Sequence, residues 1–79
     1  MLNEYIVVVV PPVTVEKIRE IERLGGRVKS IGKILPYMVV LIDRRYVPEL
    51  AKLPWVVSVQ ENIRFTAQSL DYFFRENKP

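Results

Sequence analysis

Two runs of this chain, Tyr5-Ile6-Val7-Val8-Val9-Val10 and Tyr37-Met38-Val39-Val40-Leu41-Ile42, never alternate apolar with polar residues. Successive side chains of a strand point to opposite faces, so each run offers apolar groups to both sides of a sheet. One layer of helices covers only one of those sides. The other calls for a partner, whether a different protein, a second copy or the chain's own tail.

The segments around these runs order the fold. The first strand, about Asn3 to Val10, stops at Pro11-Pro12, where two backbone donors are lost. Thr14 suits the N-cap of a helix, with Val13 and Ile18 as a hydrophobic staple and Val15, Ile18, Ile21 and Leu24 as its apolar stripe. Glu16, Lys17, Arg19, Glu20, Glu22 and Arg23 then form its solvated face, and Gly25-Gly26 ends it. Arg27 to Leu35 alternates like an edge strand protected by its lysines, with Gly32 as a candidate bulge. After Pro36 and the second apolar run, Asp43-Arg44-Arg45 opens a short helix through about Leu53, with Pro48 in its first turns. Pro54 closes it, and Trp55 to Gln60 returns as the last strand. The expected fold is α+β: a ferredoxin-like split β-α-β-β-α-β, with a four-stranded antiparallel sheet and two helices on one face. That topology puts strands one and three in the centre, where the two unalternating runs fall.

At 79 residues the chain has room for one small domain. It has no Cys and no His, so disulfides, thiolate metal sites and the commonest general base are excluded. Neither a metal nor a cofactor is expected. The net charge of +3 is spread among acids along the first helix, which argues against a nucleic-acid stripe. An RNA-binding sheet would also want aromatic and basic residues alternating on strands one and three, where only Tyr5 and Tyr37 stand. No apolar run approaches the ~20 residues that span a bilayer, and no membrane partner is expected. Met1-Leu2-Asn3-Glu4 is not an export signal, which implies a cytoplasmic protein if the chain is complete and an extracellular one if it belongs to a secreted precursor.

Catalysis finds few candidates. The one Ser-x-x-Lys spacing, Ser30 and Lys33, falls on an expected edge strand with its side chains on opposite faces. Asp43, Glu49, Glu61 and Asp71 are scattered over turns and separate elements, which suits neither a hydrolytic carboxylate pair nor a metal site. Gly25-Gly26 precedes no helix, so it is a helix stop and not a phosphate cradle. The expectation is a protein that is not an enzyme.

Four groups of residues carry a family resemblance: Tyr5-Ile6-Val7; Gly25-Gly26-x-Val28; Tyr37-Met38-Val39; and Leu50-x-x-Leu53-Pro54-x-Val56-x-x-Val59-Gln60-Glu61-Asn62. Over residues 3–63 the chain resembles the inhibitor-type propeptides of subtilisin-like serine proteases and the free-standing inhibitors that share their fold. The family usually reads Pro-x-Val-x-x-Val-Glu-x-Asp in the last group; here Val56 and Val59 match, while Gln60 and Asn62 replace acids. The resemblance implies that residues 1–66 form the propeptide-like domain, with a subtilisin-like protease as its partner. The outer face of its sheet would lie on two surface helices of the enzyme. Glu61 and Asn62 would accept hydrogen bonds at those helices' N-termini. The following residues, Ile63, Arg64, Phe65, Thr66, Ala67 and Gln68, would enter the cleft like a product.

Two registers are open for that segment. Ala67-Gln68-Ser69-Leu70 resembles the Ala-Gln-Ser-Val start of some mature subtilisins, which puts Thr66 in the primary pocket and Ile63 in the apolar subsite behind it. Counting from strand four puts Gln68 in the pocket and Phe65 behind. The tail, residues 67–79, can form a short helix capped by Ser69, with Leu70, Phe73 and Phe74 on one side, able to fold onto the open sheet face. The rival to protease binding is a self-associating or small-ligand regulatory module of the same fold; the expected state of the free chain is a monomer or weak homodimer.

Overall fold

A computed structural model of the chain describes residues 1–62, so residues 63–68 of the expected cleft segment and the helix expected after Ser69 lie outside the described part. The described residues form β1 (Leu2–Val9), α1 (Val15–Arg23), β2 (Arg27–Ile31), β3 (Tyr37–Asp43), a 3-10 turn (Arg44–Tyr46), α2 (Val47–Lys52) and β4 (Val56–Glu61). The strands pair antiparallel in the order β2-β3-β1-β4, which puts the two apolar runs in the centre as expected.

What the sequence does not alternate, the sheet does. Tyr5, Val7 and Val9 of β1 and Met38, Val40 and Ile42 of β3 are buried, whereas Ile6, Val8, Tyr37, Val39 and Leu41 between them are half-buried. The buried set meets Ile21 of α1 and Leu50 of α2 in one core, joined by half-buried Ile18, Leu24, Val28, Leu53, Val56 and Val59. Both helices therefore cover the same face of the sheet. Among the described residues, no helix or strand lies over the other.

The Thr14 hydroxyl accepts from the Lys17 N–H at 3.3 Å and caps α1. Ile21 lies fully buried at the centre of the stripe, but Val15 is 58% exposed. A step of three residues turns about 300° around a helix, so Val15 stands about 120° from Ile21 and falls outside the covered arc. Lys17 and Glu20 also depart from the expected solvated face. Lys17 Nζ donates to the Pro12 carbonyl at 2.7 Å and to that of Val10, and it stands 5.8 Å from the centre of the Trp55 ring. Glu20 accepts from the Trp55 indole N–H. These contacts bind the β1–α1 turn and the start of β4 to the helix.

Gly25 ends α1 with φ +84°, a left-handed conformation that side chains oppose. The expected bulge at Gly32 is instead at Lys29, where the β2–β3 register slips between Val28 and Ser30. β2 ends at Ile31, and Gly32 opens the turn to β3 by donating to the Tyr37 carbonyl at 2.8 Å. A Cβ on Gly32 would stand 2.4 Å from the Leu35 carbonyl and from the Tyr37 ring, so a side chain has no room there. The second helix is also divided: Asp43 caps a 3-10 turn, and α2 follows with Pro48 at its start, where a missing N–H costs little.

Candidate functional site

The chain's own register defines the outer face. Cross-strand partners share a face, and the pairs Val8↔Tyr37, Ile6↔Val39 and Glu4↔Leu41 place those six side chains together on the side away from the helices. Ile6↔Gln60 and Val8↔Ser58 add two polar residues of β4; Arg27↔Leu41 and Ser30↔Val39 add two of β2. The result is an apolar strip of Ile6, Val8, Tyr37, Val39 and Leu41 over the two central strands, bordered by polar groups at both edges.

The strip ends in a polar corner. Glu4 Oε1 accepts from Lys29 Nζ at 2.9 Å, and Glu4 Oε2 accepts from the side-chain amide of Asn62. The Asn62 backbone N–H donates to the Glu4 carbonyl at 2.9 Å, extending the β1–β4 ladder by one residue. Glu4, Lys29, Ser30, Val39 and Asn62 together line a shallow recess of about 280 Å³. Because the amide nitrogen of Asn62 is engaged with Glu4, its oxygen, the group that accepts hydrogen bonds, lies on the side away from Glu4.

Of the residues singled out from the sequence, Asn62 is on the outer face and Glu61 is not. Glu61 pairs with Tyr5 and so shares the helix side of the sheet. Its carboxylate stands 3.8 Å from the Arg44 guanidinium, with both side chains largely exposed, a contact worth under about 1 kcal/mol. Gln60, which the sequence reading passed over as a site residue, takes the outer position beside Ile6. The signal was available: Val59 belongs to the core, and a period of two then sends Ser58 and Gln60 outward. Glu4 was missed too, although it precedes Ile6 by two residues.

At the same end of the sheet, Asp43 accepts from the Arg45 backbone N–H at 2.9 Å and from its guanidinium at 3.3 Å, and from the N-terminal amine at 3.4 Å. The Arg45 backbone bond above all, then its guanidinium, lowers the Asp43 pKa from 3.8 to about 2. This charge is committed to the turn after β3. Among the described residues, no three His, Cys, Asp or Glu side chains come together as a metal site would require, and no helix is long and apolar enough to cross a membrane.

Such a face can bury apolar surface against a flat partner and offer hydrogen-bond acceptors at its Asn62 corner. No protein-family model matches the chain, and neither does any curated protein.

Proposed function

We propose that the chain is a non-enzymatic, propeptide-like domain that binds and inhibits a subtilisin-like serine protease, or assists its folding. The outer face docks on the enzyme, and the segment from Ile63 to Gln68 enters the cleft. The observation that carries the reading is the position of the apolar strip opposite both helices, with the end of β4 at its border. Its five side chains are already half-buried by their neighbours, so covering each contributes on the order of 1 kcal/mol. That is a useful docking surface but too little to bind tightly by itself, which is why the reading gives the cleft segment an equal part. An extended segment in a protease cleft adds main-chain hydrogen bonds to the enzyme's own strand edges. Gln60 and Asn62, side by side on the outer face, would accept from helix N-termini without charge.

The same strip favours one other reading, a symmetric dimer in which two sheets meet face to face. Titration of a subtilisin-type protease with the micromolar chain tests the first reading, with sedimentation of the free chain beside it. Loss of protease activity with a monomeric free chain supports inhibition. Full activity, with residues 69–79 present or removed, refutes it, and a tight dimer then supports the module.

A further inference from the structure

We infer that Glu4 is a positioning residue: it holds Asn62, the residue that follows β4, in place at the docking face. Its effect on inhibition rests on the docking reading above, while its effect on the free chain rests on the geometry alone. β4 is an edge strand, and Asn62 lies one residue beyond its end, where a strand held by backbone bonds on one side frays. Glu4 holds that residue twice, through its backbone carbonyl and through its carboxylate.

The carboxylate is held in turn. Lys29, the extra residue of the β2 bulge, reaches over β3 to Oε1 at 2.9 Å, and the Glu4 side chain is only 12% exposed. A carboxylate so withdrawn from water depends on its donors, and charge-assisted bonds are about twice as strong as neutral ones. The bulge therefore has a use: it delivers an ammonium from the far edge of the sheet to the residue that anchors the departing chain. The arrangement also selects the Asn62 amide orientation, leaving its oxygen for a partner's N–H groups.

The test compares Glu4→Ala, Glu4→Gln, Asn62→Ala and the Glu4→Ala/Asn62→Ala double variant of the full chain. In the free chain, hydrogen exchange at the Asn62 amide should quicken about tenfold in Glu4→Ala, as the loss of one charge-assisted bond implies. Exchange at Val7 should stay unchanged, and Glu4→Gln, whose single neutral oxygen can serve Asn62 or Lys29 but not both, should restore only part of the protection. Against a subtilisin-type protease, both single alanine variants should raise the inhibition constant about tenfold, mainly through faster dissociation, and the double variant should be no more than about threefold worse than either. Wild-type exchange at Asn62 in Glu4→Ala, or single effects that multiply in the double variant, overturns the inference. If the wild-type chain leaves the protease fully active, the docking reading falls, and the exchange comparison alone decides the role of Glu4.

Discussion

Val39 and Val40 are sequence neighbours on a central strand, yet the two faces of the sheet give them different tasks. Val40 is fully buried between the sheet and the helices, and Val39 is half-buried on the outer face. Truncating Val40 to Ala removes two carbons from a closed core, about 1.6 kcal/mol of transfer free energy, and the cavity left behind brings the loss to about 2–3 kcal/mol. Truncating Val39 to Ala removes the same atoms from a partly wet surface and costs about 0.5–1 kcal/mol, mostly β-propensity and cross-strand contact with Ile6. For a domain of this size each kcal/mol moves the melting temperature by about 4–8 °C. Thermal unfolding followed by circular dichroism should therefore show Val40→Ala melting about 10–20 °C below the wild type and Val39→Ala within about 8 °C of it. The protease assay should rank them the other way: Val39→Ala weakens inhibition at temperatures where both are folded, and Val40→Ala does not. A Val39→Ala loss as large as that of Val40→Ala in the free chain would mean that the outer face is a second core, closed by the molecule itself, and the docking argument would fail.

Three further outcomes follow from single residues. Because the folded pKa of Asp43 lies near 2, below its ordinary 3.8, the stability it contributes is complete above about pH 5 and is mostly lost as pH falls to about 2. Melting temperatures of the wild type and Asp43→Asn, measured across that range, should differ at neutral pH and converge toward pH 2; a constant difference would contradict the assignment. The Tyr5 hydroxyl is buried without a hydrogen-bond partner among the described residues, so Tyr5→Phe should be neutral or stabilising by up to about 1 kcal/mol in urea denaturation, and a clear loss would reveal a partner. Gly32→Ala should destabilise more than Gly25→Ala by the same assay: the first meets the Leu35 carbonyl and Tyr37 ring at 2.4 Å, the second meets open space and only opposes a positive φ, a penalty of about 1 kcal/mol.

How much of this could be read from the residues depended on whether the governing contact was local. The Thr14 cap, the Gly25 stop and the fully apolar central strands follow from neighbours within a few positions, and each is where the sequence reading puts it. Lys17 and Glu20 were not legible as structural groups, because their partners, Val10, Pro12 and Trp55, come together only after folding. Gly32 was the candidate for the bulge, but the position was decided across strands: the slip at Lys29 brings its ammonium to Glu4. At the candidate site the apolar strip was legible as two runs, and the choice between their faces was not, since both faces are apolar. Gln60 and Glu61 were separable by parity with Val59, yet the family resemblance pointed to Glu61, which the register places on the helix side.

The central claim is that the outer face, and not the helix side, meets the partner. Backbone amide shifts of the labelled chain, recorded with and without an unlabelled, active-site-competent subtilisin-type protease, test it residue by residue. The account predicts the largest changes at Ile6, Val8, Val39, Leu41, Gln60 and Asn62, with little at Glu16, Arg19, Glu22 and Arg23 on the solvent side of α1. Changes concentrated on α1 and α2, or none at a protease concentration of tens of micromolar, would contradict it.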